Sequence, residues 1–308
     1  MKRAIERLLR ADKLLILTHT LPDGDTVGSA AALCEGLRSL GKTAYVAENA
    51  EITPRYLPYI SKFAPPDGYE PSCVAAVDTA TRERLQKAYR AAHVDISIDH
   101  HTPGPDFADI HYTDEAAAAT AEIVYELLTE LGASISRETA TALYLGISTD
   151  TGCFRYSNTT ARSHYITAAL LDTGIDVSPL NDAMFEKRSL ARLAIEARMC
   201  GGLRFLLGGK AAIGVITRED IAACNAGEDD MESIAALTRR VEGVEIGVLL
   251  RETADGVKIS VRTSADYRAD RLCALFGGGG HHCAAGATMR GASVADAETA
   301  VTDALLAL

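Results

Sequence analysis

The chain has 308 residues, more than one hydrophobic core usually spans, and 47% of them are apolar, which is ample for two cores. Its 31 Lys and Arg face 42 Asp and Glu, a net charge of -11 that argues against grip on a long nucleic acid unless the basic residues gather on one face. Seven cysteines without a C-x-x-C pair argue against a disulfide framework and a zinc ribbon, and no stretch has the length of a membrane-spanning helix.

The opening stretch, MKRAIERLLRADKLLIL, has early positive charge, but Glu6 and Asp12 interrupt it and its apolar run is too short for a secretory signal. A cytoplasmic location is expected. Short apolar runs then alternate with helical patterns: LLILT, VGSAAALCEGLRSLG, TAYVA, CVAAV, TRERLQKAYRAA and VDISI. Such alternation reads as βαβ units around a parallel sheet, with Gly41 closing the first helix. Helical patterns follow over 117–131, 137–148 and 160–172. Residues 181–207 are helical in period, mixed in charge and interrupted by Gly201 and Gly202, which reads as a helical linker between a domain over 1–180 and another over 208–308. The second domain carries AAIGVIT, VEIGVLLRE and VKISVRTS as strands, helical patterns near 230–240 and 267–276, four consecutive glycines and a closing helix from about 293. The expected fold class is α/β, with a mixed sheet covered by helices on one side in the second domain.

In an open parallel sheet, ligands bind at the carboxyl ends of the strands. HTLPDGD follows LLILT, DTA follows CVAAV, DHH follows VDISI, and STDTGCFR closes the helical segment 137–148. These stretches deliver His19, Asp23, Asp25, Asp78, Asp99, His100, His101 and Asp150. Taken singly, Asp25 reads as the cap of a helix starting at Thr26, Asp78 as a turn residue, and either histidine as a structural imidazole. As a group they have no shared structural purpose, and so many carboxylates repel one another without cations. Two divalent ions would relieve that repulsion and activate a water. Imidazole mixed with carboxylate suits manganese, iron or cobalt better than magnesium.

HTLPDGD, AVDTA, SIDHH and STDTGCFRYSNTT stand in the order of the four motifs of the DHH phosphoesterase superfamily, which the chain resembles. The usual first motif has Asn where Leu21 stands. FGGGGHHCAAGA, following VRTSADYRADRLCALF, is similar to the GGGH-x-x-AAG motif of the DHHA1 domain. The resemblance implies an N-terminal DHH domain with a mainly parallel sheet, a helical linker and a smaller C-terminal α/β DHHA1 domain with a mixed sheet, the active site lying in the cleft between domains. It implies two divalent ions, Mn2+ by preference: one held by His19, Asp23 and Asp78, the other by Asp25, Asp78, His100 and Asp150, with Asp78 bridging. Asp99 then orients its neighbours, and His101 faces the substrate phosphate as a general acid. Arg155, Arg262, Ser264, Gly279, Gly280 and His281 are the candidate substrate contacts, since Arg suits bidentate phosphate binding and a glycine run lets the backbone approach an anion.

Within the superfamily the chain most resembles compact bacterial DHH-DHHA1 proteins that act as bifunctional oligoribonuclease and PAP phosphatase. The activity so implied is hydrolysis of very short oligoribonucleotides to nucleoside 5'-monophosphates and of 3'-phosphoadenosine 5'-phosphate (PAP) to AMP. The implied partners are short oligoribonucleotides or small phosphorylated nucleotides, with neither a long duplex nor a membrane, and a homodimer is left open. The rival expectations are a phosphodiesterase acting on pApA or cyclic dinucleotides, a RecJ-like single-strand exonuclease, and a nucleotide-binding regulator without turnover.

Overall fold

Alternating strands and helices build two units, Met1–Lys187 and Arg188–Leu308, in a computed structural model that describes residues 1–308 except 103, 232, 233 and 265. In the first unit, β1 (Lys13–Leu17), β2 (Thr43–Val46), β3 (Cys73–Val77), β4 (Ile96–Asp99) and β5 (Ile110–Thr113) form one parallel sheet in the order β2-β1-β3-β4-β5. Its helices are α1 (Lys2–Arg10), α2 (Gly24–Ser39), α3 (Leu57–Ile60), α4 (Thr120–Glu130), α5 (Arg137–Asp150), α6 (Ala161–Asp172) and α7 (Ser178–Asn181). The central strands are apolar at nearly every position because both faces are buried, as parallel sheets require. Leu14 and Ile16 join the core containing α2, α4 and α5, while Leu15 and Leu17 pack with Leu85, Val94 and Phe107. Gly28 lets α2 lie directly on α5: a Cβ there would stand 2.3 Å from the carbonyl oxygen of Ala142.

Two features of this unit depart from the sequence pattern. TRERLQKAYRAA is not a helix but two short 3-10 turns, Arg82–Arg84 and Lys87–Tyr89. Leu85 between them is fully buried and bridges the backbone of His19, while the Gln86 side chain accepts from the N–H and hydroxyl of Thr18. Tertiary contacts thus override the helical period. The edge strand β5, IHYT, is half-exposed and too polar to announce itself.

The second unit has a six-stranded mixed sheet of β6 (Arg204–Leu206), β7 (Ala211–Ile216), β8 (Ile246–Thr253), β9 (Gly256–Thr263), β10 (Gly279–His281) and β11 (Ala284–Arg290). The order is β10-β11-β9-β8-β7-β6, and the β7–β8 pair alone is parallel. Its helices are α8 (Leu190–Gly201), α9 (Arg218–Cys224), α10 (Glu228–Met231), α11 (Ala269–Ala274) and α12 (Val294–Leu306). Helices cover both faces, not one. Val248, Leu250, Ile259 and Val261 pack against Leu272, Val301 and Leu305, whereas Ile216 and Leu249, in the opposite phase of their strands, pack against Ile195, Met199 and Ile234. The stretch 181–207 contains α8, whose Ile195 and Met199 belong to that second core. Among the described residues, no helix is long and apolar enough to cross a membrane.

Candidate metal centre

His19 stands two residues past the end of β1, and its Nδ1 lies 2.6 Å from the carbonyl oxygen of Thr20. A histidine whose Nδ1 donates to a carbonyl presents a lone pair at Nε2. That atom stands 3.6 Å from Oδ2 of Asp78 and 3.9 Å from Oδ2 of Asp23. Asp23, rather than Asp25, is the cap of α2, accepting from the Thr26 N–H at 3.1 Å. Asp25 lies inside the first turn, where its carboxylate accepts from the N–H groups of Thr120 (2.7 Å) and Ala121 (3.0 Å) and from the Ser29 hydroxyl (3.2 Å). The cap position of α4 is Ala119, which has no side chain to satisfy those donors, so Asp25 supplies from another helix what α4 lacks.

Asp78 follows β3 with a φ of 53°, a left-handed conformation that Asp tolerates better than most residues. The hydroxyl of Thr26 donates to its Oδ2 at 2.5 Å and that of Thr120 to its Oδ1 at 3.0 Å. His100 follows β4, with Nδ1 3.2 Å from the Ala117 carbonyl and Nε2 turned to Asp150 (3.5 Å), Asp78 (3.7 Å) and Asp25 (3.9 Å). Asp150 is the last residue of α5. The six residues expected as ligands therefore stand together at the carboxyl end of the sheet and the adjoining helix ends.

Their charges do not balance by themselves. Burial, and then the carboxylates of Asp78 and Asp150, push the Asp25 carboxyl well above its usual range. Burial with Asp23 and Asp78 does the same to Asp150. Asp78 is also buried, but the hydrogen bond and charge of His19, with His101 and His100, outweigh burial and hold it below the carboxylate range. Burial opposes protonation of His19, yet Asp78 and Asp23 raise its pKa above the ordinary imidazole value. Protons here do what cations do better. Donor atoms lie within 4.8 Å of one another in each of three overlapping groups: His19, Asp23 and Asp78; Asp25, His100 and Asp150; Asp78, His100 and His101. Oxygen and imidazole donors converging on shared carboxylates fit divalent cations, whose binding would release those protons.

Asp99 accepts through one oxygen from the N–H groups of His100 (2.7 Å) and His101 (3.0 Å), and the same oxygen lies 2.8 Å from Nδ1 of His101. It fixes the direction of both histidines. Arg155 lies beyond Asp150 on a turn in which Gly152, Cys153 and Phe154 all have left-handed φ values, and its Nε donates to the Gly152 carbonyl at 2.6 Å. The remaining expected contacts belong to the second unit. Arg262 is on β9, Ser264 just beyond it with a buried hydroxyl that makes no hydrogen bond, and Gly279, Gly280 and His281 form β10. The glycine run is thus partly an edge strand paired with β11, not wholly a loop. The sequence reading missed Thr26, Thr120 and the Ala117 carbonyl, which hold Asp78 and His100. The one hint was the run AAAATAE, a helix start with no capping side chain.

Comparison with known proteins agrees with this architecture. The profile of the DHH family, N-terminal domain, matches residues 13–147, and that of the DHHA1 domain matches residues 216–307. The chain is 34% identical, over 98% of its length and 93% of the relative's, to the bifunctional oligoribonuclease and PAP phosphatase NrnA of Thermus thermophilus. It is 26% identical to the probable bifunctional oligoribonuclease and PAP phosphatase NrnA of Streptococcus mutans, over 93% of this chain and 92% of that one. Among solved structures, an exopolyphosphatase-related protein from Bacteroides fragilis superposes with a TM-score of 0.91 at 26% identity, covering 100% of this chain and 96% of that one. The chain therefore belongs to the DHH family of phosphoesterases, in the form that joins a DHH N-terminal domain to a DHHA1 domain.

Proposed function

We propose that the protein hydrolyses very short oligoribonucleotides to nucleoside 5'-monophosphates, and PAP to AMP, using two divalent metal ions, Mn2+ by preference. The observation that supports this best is Asp78, whose Oδ2 faces His19 and whose Oδ1 faces His100 within one buried cluster. His19, Asp23 and Asp78 hold one ion, and Asp25, Asp78, His100 and Asp150 the other. When bound, the ions supply a water nucleophile at neutral pH and offset the charge that develops on the phosphoryl oxygens. The chain's own residues do the rest. Thr26 and Thr120 fix the plane of the Asp78 carboxylate. Asp99 anchors Nδ1 of His101, so that His101 delivers a proton from Nε2 to the leaving oxygen as the P–O3' bond breaks and the water oxygen bonds to phosphorus. Arg155, Arg262, Ser264, His281 and the backbone of Gly279 and Gly280 bind the nucleotide. The name of the Thermus relative, a bifunctional oligoribonuclease and PAP phosphatase, supports the same substrate class.

A length series of end-labelled RNAs with Mn2+, run beside PAP and pApA, tests the proposal. The expected kcat/KM is highest for RNAs of about two to five nucleotides and falls for longer ones, because few anion contacts extend past a terminal nucleotide or two. Processive degradation of a long strand at undiminished rate would reject it in favour of a RecJ-like activity.

A further inference from the structure

Strand register places the second unit's basic residues where the linear sequence does not reveal them. Arg262 pairs with Ala284 and Ala284 with His281; Ser260 pairs with Gly286 and Gly286 with Gly279; Lys258 pairs with Thr288; Gly256 pairs with Arg290. Registered partners share a face, so these ten residues form one surface, opposite the face on which Val257, Ile259, Val261, Ala285 and Ala287 are buried. That surface carries four cationic or basic side chains, Arg262, Lys258, Arg290 and His281, and not one carboxylate. Arg251, opposite Lys258 on β8, continues the row and pairs with Glu228 at 3.0 Å. Lys258 and Arg290 are exposed, and neither has a carboxylate within 4 Å among the described residues. The floor between them is low: a Cβ on Gly279 would meet nothing within 4 Å, and one on Gly286 only a carbonyl at 3.4 Å. Partial burial, and then the charges of Arg251 and Arg262, lower the pKa of Lys258, and the opposing charge of Glu228 does not offset them. On a chain of net charge -11, such a row concentrates positive potential on a single face.

We propose that this face of β9 and β11 is an extended track for the phosphates of a single-stranded oligonucleotide, with Lys258 and Arg290 binding phosphates beyond those held near Arg262 and His281. The proposal rests on the function proposed above and adds to it the residues that set substrate length. At about 3.3 Å per strand residue, the row from Arg262 to the Gly256–Arg290 rung spans about 20 Å, room for a few nucleotides and no more. Base faces would lie on the glycine and serine floor, with the ammonium and guanidinium groups meeting the backbone.

The test is equilibrium binding of fluorescent RNAs in EDTA, so that no turnover is needed, to wild type, K258Q/R290Q and the charge-retaining K258R/R290K. The double Gln variant should bind a pentaribonucleotide about tenfold more weakly, with the slope of log affinity against log salt reduced by about 1.4, the amount for two lost phosphate contacts on a single strand. Dinucleotide binding should be unchanged within about twofold, and K258R/R290K should restore pentamer binding. Unchanged pentamer affinity and salt slope would overturn the track, as would an equal loss on dimer and pentamer. Tight pentamer binding through this face with no hydrolysis of any RNA under Mn2+ would leave the track standing and overturn the catalytic proposal.

Discussion

His19 and His100 meet opposite oxygens of one carboxylate: Nε2 of His19 lies 3.6 Å from Oδ2 of Asp78, and Nε2 of His100 lies 3.7 Å from Oδ1. A carboxylate placed so is able to bridge two cations, and among the described residues Asp78 is the carboxylate shared by the His19 group and a His100 group. Asp78→Asn keeps the shape but removes the charge, and its single acceptor oxygen leaves only one of the Thr26 and Thr120 hydroxyls able to donate as before. It should lower kcat by at least about a thousandfold while circular dichroism and the metal-free melting temperature stay near wild type. Near-normal turnover in a folded variant would remove Asp78 from the bridging position.

Metal removal should separate stability from activity. Exhaustive chelation should abolish hydrolysis, and Mn2+ should restore it better than Ca2+, whose larger, more flexible shell suits this cluster less. Because cations relieve the repulsion among Asp25, Asp78 and Asp150, Mn2+ at about a hundred times its Kd should also stabilise the fold by about 2.7 kcal/mol, read as a rise in melting temperature. Full activity in metal-free protein would exclude the two-metal chemistry.

Thr120 tests the layer behind the ligands. Its hydroxyl donates to Asp78 and its N–H to Asp25, so Thr120→Val deletes the first bond and keeps the second. Outer partners of this kind commonly contribute about 10- to 100-fold in metal affinity. Titration of the variant with Mn2+ should show a loss of that order, while a full excess of metal recovers most of the activity.

Leu21 occupies the position where the DHH first motif usually has Asn, and its φ is 53° with 65% of the residue exposed. A left-handed leucine costs about 1 kcal/mol or more, which Asn largely avoids, and little apolar burial is lost on replacement. Leu21→Asn should therefore raise the unfolding free energy by about 1 kcal/mol in urea denaturation without altering metal content. A destabilised variant would show that the leucine has contacts worth more than the strain.

The sequence by itself determined the strand-end positions of His19, Asp23, Asp25, Asp78, His100 and Asp150, because an apolar run followed by polar residues marks a strand and its carboxyl edge locally. It also determined the parallel sheet of the first unit, from the alternation of apolar runs with helical periods. It could not say that Asp23 rather than Asp25 caps α2, since both stand before the same helix and only the N–H groups of Thr120 and Ala121, 95 and 96 residues away, draw Asp25 inward. Nor could it expose the basic face of β9 and β11. Lys258 and Arg262 look like ordinary outward positions of one strand, and Arg290 lies 28 residues after Arg262. Antiparallel register brings them onto one surface, and register is fixed by packing of the opposite, buried face, a property of paired strands that no single strand contains.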